Sequence, residues 1–208
     1  METFFPCDTL VFDTSVLINL AETGHCPEIF DALDSKCLVT QQVLNEFSGK
    51  HQGYVSRQQV ISKLINRKSL SVVHLDEDES AYFIGLISAD DADALDDGEA
   101  STLALARSNN AVALIDEKKG IRIAAQSNPS IMTSSTVDLI YWISLNHSNK
   151  LPVGDIVVKA LLQAKMRVPH EHEEWVLGLV PKDMLMKCTS LKKRLRANQS
   201  SVAADLMR

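Results

Sequence analysis

Short apolar runs alternate with amphipathic stretches along most of this chain, and two of the runs stop at an aspartate. Leu10, Val11 and Phe12 lead into Asp13, Thr14 and Ser15; far along, 111–115 leads into Asp116. A short buried run cannot be assigned by periodicity alone, but its length and the break at the acid favour a strand. Strands are expected over 9–13, 37–39, 70–75, 111–115 and 130–134. Helices are expected over 16–21, 27–34, 41–47, 55–67, 78–88, 96–106, 117–125, 137–145, 153–165 and 170–180. Gly24 suits a helix C-terminus and Thr40 an N-cap, while 49–53 is a break. This alternation implies an α/β fold, a three-layer sandwich with a central, mainly parallel sheet. In such sheets ligands gather beyond the carboxyl ends of the strands, where Asp13 and Asp116 fall. The expected division is an α/β domain over 1–150 and a helical extension with a basic tail over 151–208.

Charge is unevenly spread. The net charge is −6, which argues against a dedicated nucleic-acid coat protein. From Asp76 to Glu99 there are ten acids and no Lys or Arg, whereas seven Lys/Arg lie from Lys182 onward. The two regions either serve different partners, meet each other in a dimer, or are simply solvated faces. Cys7, Cys26, Cys37 and Cys188 lack CxxC spacing and zinc-like histidine partners, as reduced thiols in a cytoplasmic protein would. No apolar run reaches the ~18 residues needed to span a bilayer, and the first residues lack a basic signal-peptide region. A cytoplasmic protein with no membrane partner is expected.

Four acids fall at element ends: Asp13 and Asp116 after strands, Glu46 on the helix after the second strand, and Glu99 in the first turn of its helix. Read singly, each has an ordinary role. Asp13 and Asp116 can cap the helices that follow, Asp96 and Glu99 fit a capping box, and Glu46 fits an exposed helix face. Asp97 reads equally as a cap, a supporting acid or a surface charge. Taken together they mean more. Like charges a few ångströms apart raise each other's pKa unless a cation intervenes. Oxygen ligands of this kind suit Mg²⁺ or Mn²⁺, ions that activate water and steady the oxygens of a phosphodiester.

The stretches 11–20, 42–47, 95–106 and 113–117, in that order, resemble a PIN domain, the nuclease fold of many prokaryotic toxins and RNA-processing factors. The likeness covers about 8–140, with a Gly98-Glu99-Ala100 variant where many members carry Asp. It implies a PIN-like sandwich and a Mg²⁺- or Mn²⁺-dependent endoribonuclease with one or two ions. It implies Asp13, Glu46, Glu99 and Asp116 as catalytic acids, and Asp13, Glu99 and Asp116 as metal ligands, with Asp97 competing for Glu99's place. Thr14, Ser15, Lys119 and Arg122 are the expected substrate contacts. The toxin branch further implies an RNA substrate, an inhibitory antitoxin-like protein partner and a homodimer. The alternative is a PIN-like scaffold with weak or no catalysis that binds RNA or a protein. The apolar face of 55–65 serves either as core or as a dimer surface.

Beyond 145 the resemblance weakens. His170 and His172 flank Glu171, but histidines at i and i+2 on a helix do not face the same way, so a polar helix start is the expectation. Trp175, Leu177 and Leu179 are expected to pack the extension onto the domain. The basic tail is expected to meet RNA phosphates or a partner.

Overall fold

A computed structural model describes residues 7–46, 54–90 and 93–191. The first residues, the break at 49–53, Asp91 and the tail basics Lys192, Lys193, Arg194, Arg196 and Arg208 lie outside the described residues.

Five strands among the described residues form one sheet: β1 (Thr9–Phe12), β2 (Lys36–Thr40), β3 (Ser71–Val73), β4 (Val112–Leu114) and β5 (Met132–Ser134). Every neighbouring pair is parallel, in the order β3-β2-β1-β4-β5. The helices are α1 (Thr14–Glu22), α2 (Cys26–Asp31), α3 (Gln41–Glu46), α4 (Tyr54–Asn66), α5 (Glu77–Ile87), α6 (Asp97–Ser108), α7 (Lys118–Ser127), α8 (Thr136–Asn146), α9 (Val153–Lys159), α10 (Glu173–Leu179) and α11 (Lys182–Leu185).

Alternate strand residues face opposite ways, and this divides the core. Leu10, Phe12, Val39, Val112 and Leu114 pack with residues of α1–α4, α8 and α9. Val11, Leu38, Ala113 and Ile115 pack with residues of α5–α7. The molecule is therefore a three-layer α/β sandwich, as the alternation of runs implies. Phe12 is fully buried and stacks on Phe30 at 4.9 Å between centroids. Burial of that size is worth about 1.5–3 kcal/mol, and aromatic pairing adds about 0.5–1.5.

The local signals act as their chemistry dictates. Gly24 takes φ +72° beyond the end of α1, a conformation open to glycine. The Thr40 hydroxyl accepts from the Val43 N–H and so caps α3. Ile61 and Leu64 of α4 are buried, with Val60 and Ile65 packed against the same core, so that face turns inward.

The chain departs from the expected pattern after α9. The helix expected over 153–165 widens into a π-helical turn at Ala160–Ala164 and stops at Lys165, whose φ is +58°. The Lys165 N–H closes the wider turn on the Ala160 carbonyl, and the Met166 N–H folds back onto the same oxygen at 3.0 Å. The helix expected over 170–180 opens as a single 3-10 turn, His170–His172, before α10. Four-residue α11 is too short to leave a periodic pattern, yet its Leu185 is buried. Leu151, Ile156, Leu161, Met166, Leu177 and Leu185 share one core cluster with Phe12 and Ile140. Among the described residues no helix is long and apolar enough to cross a membrane.

Helices α1–α4 link β1, β2 and β3 along one face, while α5–α7 link β3, β4 and β5 along the other. The winding thus reverses between β1 and β4. The carboxyl ends of these two strands are therefore the switch point at which α/β sheets bind ligands.

Candidate active site

The strand ends are tied together before any side chain is considered. The Asp13 N–H donates to the Leu114 carbonyl at 3.1 Å, and the Ile115 N–H donates to that of Ser134 at 2.8 Å. Asp13 and Asp116 therefore leave adjacent strands at the carboxyl end of the sheet.

Asp13 is buried at 3% exposure. Its Oδ2 accepts from the Ser15 N–H at 3.1 Å and from the Ser15 hydroxyl at 2.6 Å, so it caps α1 as well as ending β1. Burial pushes its carboxyl up to about 7; the hydrogen bonds from Ser15 and the Thr14 N–H pull down, and the charge of Asp96 pushes further up.

Glu99 shows what sets this end apart. Helices α5 and α6 start with the same pattern, an acid followed three residues later by Glu. At α5 the capping box closes fully, with Asp76 accepting from the Glu79 N–H and Glu79 accepting from the Asp76 N–H, both at 2.9 Å. At α6 only half of the box forms: Asp96 accepts from the Glu99 N–H at 2.8 Å. The Glu99 side chain does not turn back. It is 4% exposed, and its Oε1 is buried without a hydrogen-bond partner among the described residues. Burial pushes its carboxyl up to about 8, reinforced by the charges of Asp96, Asp13 and Glu117 and opposed by Lys119. Gly120 of α7 makes room for it, since a Cβ there would lie 3.0 Å from Glu99 Oε1. Asp97, by contrast, is exposed at the first turn of α6. The geometry puts Glu99, rather than Asp97, in the interior near Asp13.

Glu46, the last residue of α3, lies over the start of α6. Its Oε1 accepts from the Gly98 N–H at 2.7 Å, and its Oε2 accepts from the Thr14 hydroxyl. A carboxylate is favoured at a helix N-terminus by the unpaired N–H groups and the helix dipole. The approach is close enough that a Cβ on Gly98 would stand 2.8 Å from both carboxylate oxygens and 2.9 Å from Thr14 Oγ1. Glu46 thus bridges the first turns of α1 and α6.

Asp116 is held differently. It does not cap the helix after it; α7 begins at Lys118 with Glu117 in the cap position. Instead its Oδ1 accepts from the Thr136 N–H at 2.8 Å, while its Oδ2 accepts from the Thr136 hydroxyl and from Asn19 Nδ2, each at 2.6 Å. Burial raises its carboxyl above the ordinary value, against the pull of these bonds and of the Arg167 charge. Arg167 also donates from Nη1 to the Asp116 carbonyl oxygen at 2.6 Å. Asn19, Thr136 and Arg167 were not among the residues singled out from sequence. Asn19 leaves a trace as a polar residue within the apolar run of α1, and Thr136 as part of a hydroxyl cluster ending a strand; Arg167 leaves none.

The expected substrate contacts divide. The Thr14 and Ser15 hydroxyls donate to Glu46 and Asp13. Lys119 lies near enough to Glu99 to lower its pKa. Arg122 donates to Asp93 at 2.9 Å and to Gln126 at 3.0 Å. Away from these groups, His172 is buried with Nε2 2.6 Å from Asp138 Oδ1, while His170 is exposed, so the two histidines do face apart. Trp175 and Leu177 pack onto the main core.

The all-oxygen donor set, the mutual charge of Asp13 and Glu99 and the unpartnered Glu99 oxygen all fit a hard divalent cation. Asp13 and Glu99 would hold it. Among the described residues, no three His, Cys, Asp or Glu side chains already stand at metal-holding distances. Comparison with known families finds that a PIN-domain model matches residues 9–180. Comparison with curated proteins and with solved structures finds no match.

Proposed function

The chain belongs to the PIN-domain family, a nuclease family whose members generally depend on divalent metal ions, and from that premise we propose that it is an endoribonuclease using Mg²⁺ or Mn²⁺. The observation that carries this reading is the open half-box at α6. A sequence pattern that closes on itself at α5 here leaves a buried glutamate oxygen unpaired, beside a second buried acid. When bound, the cation would supply an activated water and charge neutralisation at the phosphodiester. The chain's own residues do the rest. Asp13 and Glu99 present carboxylates from adjoining elements, Asn19 and Thr136 orient Asp116, and Thr14 with Gly98 positions Glu46. Lys119 offsets the negative charge that an RNA phosphate meets on entry.

The expected biological setting is a toxin of a toxin–antitoxin or defence system, acting in the cytoplasm and restrained by an inhibitory protein, with a homodimer as the working form. Four free cysteines support a reducing compartment. The test is incubation of the purified full chain with labelled single-stranded and structured RNA. Cleavage is expected with Mn²⁺ or Mg²⁺ and not with EDTA. Cleavage that persists under chelation would overturn the metal reading. Asp116's carboxylate already takes three hydrogen bonds, and this favours a second reading, a PIN-like scaffold that binds RNA or protein without turnover. RNA binding without cleavage in any divalent metal supports that reading instead.

A further expectation concerns Gly98. In Gly98→Ala the new Cβ meets the Glu46 carboxylate, the flexible end of its side chain, so Glu46 moves and its bond to the Gly98 N–H is lost. The helix itself gains propensity from Ala. The expected result is a melting temperature near that of the unsubstituted protein with cleavage reduced on the order of 10²-fold, as for other small misplacements at active sites. Glu46→Gln should show a similar loss. Full activity in Gly98→Ala would remove Glu46 from the machinery.

A further inference from the structure

Arg167 stands out because its position is defined by unusual backbone and its chemistry is largely unused. It lies beyond the π-helical turn and the left-handed Lys165, one residue after Met166, which is 1% exposed and anchors the turn in the core. From there its side chain crosses to the end of β4 and donates from Nη1 to the Asp116 carbonyl, 51 residues away in sequence. A guanidinium has five N–H donors in a planar fork. Among the described residues that is its one hydrogen bond, beside the pull of its charge on the Asp116 carboxyl, and the side chain is only half-buried.

A strap joining two segments would need one donor and no charge. What stands here is a cation among the acids at these strand ends, Asp13, Asp96, Glu99, Glu117 and Asp116, which would repel a polyanion. Lys119 offsets this charge near Glu99, and Arg167 does so near Asp116. Guanidinium is the side chain best matched to bidentate phosphate binding. We infer that Arg167 is a substrate-positioning residue: its guanidinium, fixed by the Asp116 carbonyl, binds a backbone phosphate of the RNA next to the carboxylate cluster. This rests on the nuclease reading above. It also makes the segment after the π turn part of the active site.

The test uses the full chain and a fluorescein-labelled unstructured single-stranded RNA. Binding is followed by anisotropy in EDTA from 50 to 300 mM salt, and cleavage of the same RNA is followed in Mn²⁺. Arg167→Gln keeps a donor for the Asp116 carbonyl and removes the charge. Expected for Arg167→Gln are binding weakened by about 5–10-fold at low salt and a slope of log K against log salt reduced by about 0.7, one phosphate contact on a single strand. Arg167→Lys should keep the slope. An unchanged slope in Arg167→Gln, with unsubstituted protein that binds and cleaves, overturns this inference alone. Unsubstituted protein that neither binds nor cleaves RNA overturns the nuclease reading, and the inference falls with it. A strap role is kept by the donors of both variants and leaves melting temperature and slope unchanged, so that outcome also counts against the proposal.

Discussion

Asp13→Asn should yield a folded protein that no longer cleaves RNA. The two consequences separate because Asp13 has two roles. As the cap of α1 it accepts from the Ser15 N–H and hydroxyl. Asn caps helices about as well as Asp, so the helix start survives. As a buried carboxylate facing Glu99 it carries the charge a divalent cation needs, and the amide carries none. A loss of about 10²–10³-fold or more in cleavage rate is expected, the scale on which removing one preorganised electrostatic group acts. Glu99→Gln should lose as much, and Asp97→Asn, at an exposed position on the first turn of α6, should stay within a few-fold of the parent. Initial rates in Mn²⁺ beside thermal melts decide the matter. If Asp97→Asn is the inactive variant and Glu99→Gln the active one, the geometric assignment of the third acid is wrong.

The parts legible from sequence were those with local causes. The runs that became β1 and β4 are short, apolar and stopped by acids, and the burial of Leu10, Val11 and Phe12 follows from that pattern alone. Thr40 and Gly24 announced their helix ends because capping and positive φ depend on a few neighbouring atoms. The sheet order could be narrowed by alternation but not read off, since β1 pairs with β4 across about a hundred residues. The acids were visible as types at element ends; their states were not. Asp96 and Glu99 look like a capping box in sequence, just as Asp76 and Glu79 do, and what opens one and closes the other is tertiary: Gly120 leaves room beside Glu99, and Asp13 lies close by. Gly98 likewise looks like part of a motif until Glu46 is seen to rest where its Cβ would be. Arg167 was out of reach, because a π turn and a left-handed lysine determine where it points.

Stability of the metal-free protein should fall as pH rises from about 4 to 8, and a divalent cation should cancel that fall. The sign follows from proton binding. The Asp13 carboxyl is raised from 3.8 to about 7 and that of Glu99 from 4.5 to about 8, so between those limits the folded protein keeps protons that the unfolded chain releases. Stability therefore declines with rising pH through this window and levels off above it. The two acids influence each other and titrate as a pair, so the total is best taken as on the order of a few kcal/mol. For a chain of this length that corresponds to roughly 5–10 °C in melting temperature. Asp155, which Lys159 and His25 hold below the usual carboxylate range, acts with the opposite sign and only as pH falls below its ordinary value, outside the window. Mg²⁺ or Mn²⁺ favours the ionised carboxylates, so the difference between metal-loaded and EDTA-treated melting temperatures should widen steadily from pH 5 to pH 8. Asp13→Asn and Glu99→Gln should each flatten the metal-free profile and shrink the metal-induced shift. The measurement is a set of melts across pH with and without metal for the three proteins. A metal-free melting temperature that climbs from pH 5 to pH 8, or a metal shift that survives both substitutions, would place the strongly buried charge somewhere other than Asp13 and Glu99.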